Sequence, residues 1–431
     1  MYKCTDCEYS SLTWFGKCPK CGGFNIQEVA DQTKKIKGKK YEIDKVDAET
    51  ASSILKNKQF LTRLSSGFSE IDNVLNGIVE GGVYLVGGEP GVGKTTLVLQ
   101  ILGNLAKQGY KSVYVTAEES KWQVASRAKR VLGKESLDDI VIIATNDLVS
   151  ATANIADDVD VIVFDSMQAF QIQGNTGITG GVSQVRDVVY HIVRFAKEKH
   201  IPAFIIGQVT KEGMLAGPKL AEHIVDVVAY LEKVDVGGVR LMRVVKNRYG
   251  EVGNIGFIRL GASGFVDAPN AYQEWIDADL ANKPGVGYGV VMYGVRPIVI
   301  QVQSLLVDSR FANPKRVAEG ISRAKLEVLI AVVDKHVKGV HLSSKDIFVK
   351  VIGGLNIKDS CIDLAIVASL ISSYKGKSFG KTAFVGEVGL LGDIKNCALF
   401  KSYEKEAKKL GFKIVKKGKG INNIYQLPNI L

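Results

Sequence analysis

The stretch from Gly87 to Thr96, GGEPGVGKTT, constrains the fold more than any other part of the sequence. It follows the apolar run VYLVG (83–87) and precedes the helix-like run LVLQILGNLA (97–106). The stretch matches G-x-x-x-x-G-K-[ST], a glycine-rich turn between a strand and a helix that cradles phosphate groups. Its glycines let backbone N–H groups point inward, and the following helix adds its positive N-terminal end. The sequence therefore predicts a nucleotide phosphate site.

Two side chains of this loop have expected chemical roles. Lys94 reaches the β- and γ-phosphates of ATP, and the Thr95 hydroxyl is placed to bind Mg²⁺. The alternative is a glycine-rich turn that matches by chance, and the strand and helix on either side argue against it. We expect the nucleotide to be bound by Gly88, Glu89, Pro90, Gly91, Val92, Gly93, Lys94, Thr95 and Thr96.

Strands and helices alternate after the N-terminal region, which is typical of a parallel sheet with helices on both faces. The run KSVYVTAEES (111–120) places Glu118 after a strand, and VDVIVFDS (159–166) ends near Asp165. Ligands bind at the carboxyl ends of such strands. We expect Asp165 to hold Mg²⁺ and Glu118 to activate the water that attacks the γ-phosphate. Alternatively, Glu118 is an acidic residue placed at a helix N-terminus to complement its dipole.

Four of the six cysteines lie near the N-terminus, in the pairs Cys4-x-x-Cys7 and Cys18-x-x-Cys21. Two such pairs can supply the four thiolates of a tetrahedral Zn²⁺ site, and so short a segment has too little core to fold without metal. Iron bound by the same sulfurs and two disulfides are the alternatives. We expect Trp14, between the pairs, to pack over the site. The sequence therefore predicts a small zinc knuckle.

Charge and hydropathy indicate the class of partner. The net charge is +11 and the pI is near 9.1, which favours polyanions such as nucleic acid. Lysines are dense in the polar segment 28–62, which is typical of a linker, although its charge is also suited to phosphate contact. No apolar run is long enough to span a membrane, and no signal peptide is visible. We therefore expect a cytoplasmic protein with no membrane contact.

A second motif, KNRYG, follows the run LMRVV, and consists of Lys246, Asn247, Arg248, Tyr249 and Gly250. Its two cations flank an amide, an arrangement that can grip phosphate oxygens, while the tyrosine ring can stack on a base. Taken alone, the motif is equally compatible with a surface hairpin. It predicts a DNA contact only in combination with the other motifs.

The cysteine knuckle, GGEPGVGKTT, VIVFDS, VTKEG (209–213) and KNRYG occur in this order, and together they resemble the bacterial RadA (Sms) family of DNA repair proteins. The resemblance covers essentially the whole chain. It implies an α/β fold, with a RecA-like P-loop ATPase core, a small N-terminal zinc knuckle and a C-terminal α+β Lon protease-like domain. The expected boundaries are 1–27 for the zinc finger, 28–62 for the basic linker, 63–268 for the ATPase domain and 269–431 for the Lon-like domain.

The resemblance also implies a function. Members of this family act as DNA-dependent ATPases of homologous recombination and DNA repair, assembled as homo-hexameric rings. They process branched intermediates by branch migration or unwinding on single-stranded DNA, alongside a RecA-type recombinase. The positions carried over for DNA binding and coupling are Lys246 and Arg248. One departure is Gln208, which stands where the family has histidine, although glutamine can still donate a hydrogen bond.

The C-terminal part resembles the Lon protease domain. Alignment places Cys361, or Ser360 before it, at the Lon nucleophile position and Lys401 at the position of the lysine base. The small residues that flank a Lon nucleophile are replaced here by Asp359 and Asp363, among others. We therefore expect no peptidase activity and a scaffold role in ring assembly and DNA contact. The alternatives to a DNA motor are a regulatory protease or adaptor and a KaiC-like signalling ATPase.

Overall fold

The computed structural model describes the chain in two compact units, 1–60 and 61–431. The linker expected at 28–62 lies mostly outside the described residues, and VTKEG (209–213) lies entirely outside them. The structure describes every residue except 1, 8, 12–13, 15, 29–49, 57–61, 134–135, 173–179, 209–218, 235–236, 311–312 and 419–420.

The N-terminal unit contains a three-stranded antiparallel sheet in the order β2–β1–β3. Cys4 and Cys18 are among its buried side chains. Trp14 is 68% exposed, so the expectation that it packs over the cysteines is wrong; its ring lies beside Gly16 instead. The elements of this unit are β1 (Tyr2–Cys4), β2 (Ser10–Ser11), β3 (Ile26–Glu28) and helix α1 (Ala51–Lys56).

The first part of the larger unit is built around a nine-stranded sheet in the order β14–β13–β12–β11–β6–β10–β9–β7–β8, with β4 and β5 forming a separate hairpin. Its elements are β4 (Arg63–Leu64), α2 (Ser69–Leu75), β5 (Ile78–Val79), β6 (Val83–Gly88), α3 (Lys94–Lys107), β7 (Ser112–Thr116), α4 (Lys121–Leu132), β8 (Ile140–Ala144), α5 (Leu148–Ala153), β9 (Val161–Asp165), α6 (Val182–Lys199), β10 (Ala203–Gln208), α7 (Lys219–Ile224), β11 (Val227–Lys233), β12 (Val239–Asn247), β13 (Ile255–Gly261) and β14 (Gly264–Asp267).

Six strands of this sheet, from β11 to β8, pair in parallel. Strands β6, β7 and β9 are buried along their whole length, as expected for strands covered on both faces. The prediction of a parallel sheet is confirmed for these six strands and is wrong for β12, β13 and β14, which pair antiparallel. The reason is that short connections lead from β11 to β12, from β12 to β13 and from β13 to β14. Connections this short join only antiparallel neighbours.

The C-terminal part has a six-stranded sheet in the order β17–β18–β16–β15–β19–β22, and helix α9 is buried for most of its length. Its strands are β15 (Val286–Tyr293), β16 (Arg296–Asp308), β17 (Arg316–Glu319), β18 (Lys345–Val351), β19 (Thr382–Phe384), β20 (Glu387–Val388), β21 (Ile394–Lys395) and β22 (Lys413–Val415). Its helices are α8 (Arg323–His336), α9 (Asp363–Lys375) and α10 (Phe400–Lys409), with 3₁₀ turns at Ala271–Trp275, Ala278–Asn282, Ser360–Ile362 and Ile424–Ile430.

Residues on both sides of the expected 268/269 boundary share one hydrophobic core. Phe257 packs edge-on against Trp275, with ring centroids 5.7 Å apart. The Arg296 guanidinium lies over the Phe257 ring and donates to the buried carboxylate of Glu70 at 2.8 Å. Glu70 also accepts a hydrogen bond from the Phe257 N–H at 2.9 Å.

In the described part of the chain, no helix combines the length and the apolar character needed to cross a membrane.

Candidate nucleotide and DNA site

The phosphate loop lies between the end of β6 and the start of α3. Gly91 and Gly93 have φ angles of 75° and 112°, a region that favours glycine. A Cβ on Gly93 would stand 2.7 Å from the Phe265 ring, so a side chain is excluded there on steric grounds as well. The glycines at these two positions therefore shape a loop whose N–H groups and helix N-terminus suit phosphate oxygens.

Lys94 is turned into this loop. Its Nζ donates to the carbonyl oxygens of Gly88 and Glu89, at 2.7 and 3.0 Å. Burial lowers the pKa of Lys94, and the nearby carboxylates of Asp165 and Glu118 oppose that shift. The ammonium is thus held where phosphate oxygens of a bound nucleotide would replace the two carbonyl acceptors.

The two residues expected to hold Mg²⁺ are brought together. Thr95 Oγ1 donates to Asp165 Oδ2 at 3.0 Å, and the Tyr114 hydroxyl donates to the same oxygen. Burial raises the pKa of Asp165, while the hydrogen bonds from Tyr114 and Thr95 oppose that rise. Tyr114 is not among the residues that the sequence predicts for this site. The available signal was a tyrosine inside a fully buried strand, because a buried tyrosine hydroxyl usually finds a partner.

Glu118 and Glu119 diverge after β7. Glu118 accepts a hydrogen bond from the Ser166 hydroxyl at the end of β9, and Gln208 Nε2 lies 3.4 Å from both of its carboxylate oxygens. Glu119 instead receives two hydrogen bonds from Arg127, at 2.7 and 2.9 Å. Glu118 is therefore the acid that faces the strand ends of the sheet, and Gln208 donates to it.

Lys246, the first residue of KNRYG, is occupied within the chain. Its Nζ donates to the carbonyl oxygens of Glu222, His223 and Val225, at 2.9, 2.7 and 2.7 Å. These carbonyls belong to the last turn of α7 and the residue after it, where backbone acceptors lack partners within the helix. Burial lowers the pKa of Lys246, and Arg248 adds to the effect. Lys246 thus caps the C-terminal end of α7.

Asp226 connects KNRYG to the strand that carries the phosphate loop. Its buried carboxylate accepts from the Val83 N–H at 3.0 Å, from Lys197 Nζ at 2.7 Å and from Arg248 Nη1 at 3.2 Å. Burial raises the pKa of Asp226, but the Lys197 and Val83 hydrogen bonds outweigh it and hold the pKa below its usual range. Because Val83 begins β6, the motif is fixed to the far end of the strand that leads into the loop.

The other motif residues are also packed. Asn247 Nδ2 donates to the Leu75 carbonyl at 3.1 Å, and its Oδ1 accepts from the Tyr249 N–H at 2.9 Å. The Tyr249 ring lies against Tyr84, with centroids 6.4 Å apart, and burial raises the pKa of Tyr249. The Arg248 side chain is 57% exposed, which leaves it the motif side chain most open to solvent.

The four N-terminal cysteines form one cluster in which all sulfur atoms lie within 4.8 Å of one another. Cys4 Sγ lies 3.6 Å from Cys21 Sγ, and Cys7 Sγ lies 3.5 Å from Cys18 Sγ. A tetrahedral Zn²⁺ site with bonds of about 2.3 Å has sulfur separations of about 3.8 Å. All four thiols are free. The cluster therefore fits zinc in both donor set and dimensions.

The residues aligned with the Lon dyad do not form one. Cys361 is joined to Cys397 by a disulfide, and the Ser360 hydroxyl donates to Glu387 at 3.1 Å. Lys401 is exposed on α10, and no hydrogen bond between described residues joins it to either candidate nucleophile. Asp359, which stands where a small residue would flank a Lon nucleophile, accepts from the Cys361 N–H at 2.9 Å.

Curated relatives match nearly the whole chain. The DNA repair protein RadA of Campylobacter jejuni subsp. jejuni serotype O:2 is 35% identical over 421 residues, which cover 96% of this chain and 92% of that protein. RadA of Aquifex aeolicus is 37% identical over 418 residues, or 96% of this chain and 91% of that protein. The chain belongs to the RadA family of DNA repair proteins. A KaiC ATPase family model matches residues 64–158, which contain the phosphate loop of this RadA-family chain.

The large sheet with its phosphate loop has the fold of a RecA-like ATPase core. The family implies ATP and Mg²⁺, and Lys94, Thr95 and Asp165, which lie together at the phosphate loop, are the residues that would hold them. Among solved structures, a crystal structure of the RadB recombinase matches this chain at 24% sequence identity and a TM-score of 0.39. The match covers 48% of this chain and 99% of the RadB chain. A likeness at that score adds nothing to the RadA assignment.

Proposed function

We propose that this chain is a DNA-dependent ATPase of homologous recombination and repair, which processes branched intermediates by ATP-driven branch migration or unwinding on single-stranded DNA. The observation that carries the proposal is the convergence of Lys94, Thr95, Asp165 and Glu118 at the carboxyl ends of β6, β9 and β7 in one sheet. Family membership supplies DNA repair as the setting.

In the proposed reaction, Lys94 leaves its two carbonyl acceptors to bind the β- and γ-phosphates. Thr95 and Asp165 are the residues that would hold Mg²⁺, which would neutralise phosphate charge when bound. Glu118 orients and deprotonates the attacking water. Gln208 positions the Glu118 carboxylate through the contacts described above.

The same proposal assigns coupling to KNRYG, with different roles for its cations. Arg248 is exposed and contacts DNA phosphate, while Lys246 acts by holding the end of α7. Asp226 accepts from Arg248 and from the first residue of β6, so a shift of Arg248 toward phosphate changes the hydrogen bonding at the start of that strand. This is a contiguous route from DNA to the phosphate loop.

The remaining assignments follow the family. We propose that the cysteine cluster binds Zn²⁺, that the chain works as a cytoplasmic homo-hexamer, and that it acts with a RecA-type recombinase on single-stranded and branched DNA. The Lon-like part serves as a scaffold without peptidase activity. The hydrogen bond from Ser360 to Glu387 and the exposure of Lys401 support that proposal.

The test is ATP hydrolysis by the full chain with and without single-stranded DNA. We expect stimulation in the unsubstituted protein, loss of stimulation in Lys246→Ala with nucleotide binding retained, and no hydrolysis in Lys94→Ala. If DNA does not stimulate ATP hydrolysis, the hypothesis of a DNA-dependent motor is rejected. Peptide cleavage by the unsubstituted protein that is lost in Lys401→Ala would favour a regulated protease instead.

A further inference from the structure

The outward face of α4 carries an exposed tryptophan. The Trp122 side chain is 86% exposed, whereas Val124 and Ala128 on the same helix are buried against the rest of the unit. Trp122 is two residues from Val124, so its side chain projects from the opposite side of the helix. The helix start is held by a capping box between Ser120 and Gln123. The indole is thus presented to solvent from a fixed position.

A groove lies beside this indole. It has a volume of about 400 Å³. Trp122, Ser126 and Arg130 follow one another at intervals of four residues, which places them in a row about 12 Å long on one face. The groove is lined by Trp122, Gln123, Ser126, Arg127 and Arg130.

The charge of this surface is one-sided. Helix α4 contains Lys121, Arg127, Lys129 and Arg130 and no acidic residue. Arg127 is paired with Glu119, but no carboxylate of the described residues lies within ion-pair distance of the other three cations. Because these three cations have no carboxylate partner among the described residues, the surface matches a polyanion in charge.

We propose that this groove is a second contact surface for single-stranded DNA, with one base stacked on Trp122 and a phosphate on Arg130. An exposed aromatic ring beside cations is the combination by which proteins hold single strands without reading their sequence. The inference rests on the proposed function, since it assigns a further surface to the same strand. Arg127 links the groove to Glu119, the neighbour of Glu118.

The experiment uses the full chain and a dT30 oligonucleotide. A Trp14→Phe background leaves Trp122 as the exposed indole, because Trp275 is 2% exposed. In this background we expect dT30 to quench indole emission. Adding Trp122→Ala abolishes the quench and weakens dT30 binding about 5-fold to 150-fold, as expected for one lost base stack. Trp122→Phe retains most of the affinity.

Two further variants sharpen the test. Arg130→Gln lowers the slope of log affinity against log salt by about 0.7, the value for one phosphate contact on a single strand. Tyr190→Ala, which removes an aromatic side chain that is 54% exposed on α6, leaves dT30 affinity unchanged. Together these variants separate the groove from a general effect of surface aromatics.

The outcomes that overturn the inference are distinct from those that overturn the proposed function. In one outcome, Trp122→Ala keeps the dT30 affinity and the quench of the parent protein, and DNA still stimulates its ATP hydrolysis. This result would reject the groove as a DNA contact and leave the proposed function standing. A change of oligomeric state in Trp122→Ala with unchanged dT30 affinity identifies the face as a contact between copies and overturns the DNA assignment. Absence of any dT30 binding by the unsubstituted chain removes both proposals.

Discussion

Asp165 shows how single residues set the chemistry of the nucleotide site. Its carboxylate is buried, which by itself favours the neutral acid, yet Mg²⁺ requires the ionised form. The hydrogen bonds from Tyr114 and Thr95 stabilise the carboxylate and limit the rise in its pKa. In the proposed reaction, Tyr114 is therefore a positioning residue for the carboxylate that would hold Mg²⁺, and it does not touch the nucleotide phosphates.

Tyr114→Phe removes this hydroxyl with little change in volume. Loss of an outer contact that orients a metal-binding carboxylate typically costs about 10- to 100-fold in metal affinity, so we expect the Mg²⁺ concentration for half-maximal hydrolysis to rise roughly 10-fold. The pKa of Asp165, already raised by burial, rises further, and the acid limb of the pH profile moves to higher pH. Hydrolysis titrated with Mg²⁺ at several pH values measures both effects; Tyr190→Phe is the control, and matching curves contradict the role.

Glu118 and Glu119 provide a matched pair of substitutions. We expect Glu118→Gln to reduce hydrolysis by about 10²- to 10⁴-fold, as for loss of a general base, with ATP still bound. Glu119→Gln breaks a partly exposed pair with Arg127, which is worth about 1 kcal/mol at most, and should leave turnover within a few fold. Single-turnover hydrolysis and nucleotide binding are the measurements. Equal losses in the two variants would show that Glu118 has no special role.

At the scale of elements, α7 is the part of the fold on which the KNRYG proposal depends. The helix has only six residues, and a helix this short needs partners outside itself. Lys246 supplies them by donating to the carbonyls of Glu222 and His223 in its last turn, which makes the lysine part of the link between α7 and β12. A cation selected on sequence grounds as a phosphate contact thus has a structural task as well.

Lys246→Met distinguishes the two tasks, since it keeps the aliphatic stem and removes the ammonium. If the lysine acts through α7, stimulation by DNA is lost while the salt dependence of DNA affinity is unchanged. A direct phosphate contact would instead lower the slope of log affinity against log salt by about 0.7. We expect the first result for Lys246→Met and the second for Arg248→Gln. DNA affinity measured over a range of salt concentrations decides between them.

For the whole molecule, the N-terminal unit and the 61–431 unit differ in what stabilises them. The first has a small sheet and four clustered thiols, whereas the second contains the large hydrophobic clusters. We expect chelation of zinc to unfold the N-terminal unit and to leave nucleotide binding by 61–431 intact. Limited proteolysis and nucleotide titration before and after chelator treatment are the measurements. A protease-resistant N-terminal unit without metal would contradict the zinc assignment.

The contact between helix α2 and strand β16, which belong to the two parts of the larger unit, is tested by Arg296→Met. This change leaves the buried Glu70 carboxylate without its cation, and breaking a buried pair costs about 3–5 kcal/mol. Arg323→Met is the control, because it breaks an exposed pair with Glu327 that is worth at most about 1 kcal/mol. Denaturant unfolding measures both. A loss of stability in Arg296→Met no larger than in the control would show that this pair does not hold the two parts together.

Local patterns were sufficient to predict several elements of the site. A glycine-rich loop between a strand and a helix needs specific residues in a fixed order, so the positions of Lys94 and Thr95 follow from spacing alone. The same holds for the cysteine pairs, whose spacing sets their chemistry. Contacts between distant segments carry no such local signal. Tyr114 meets Asp165 only because β7 and β9 are adjacent in the sheet.

The sequence by itself determined the glycine-rich loop between a strand and a helix, the clustered cysteine pairs, the parallel part of the large sheet and the family. Each of these features depends on residue types at short spacing or on an apolar run that is long enough to indicate a buried strand. The tertiary structure decided which partners those residues meet: Lys246 with α7, Arg248 with Asp226, and Glu118 with Ser166 and Gln208. The physical reason is that the free energy of a polar side chain depends on its surroundings, and these come from strands and helices that are remote in sequence.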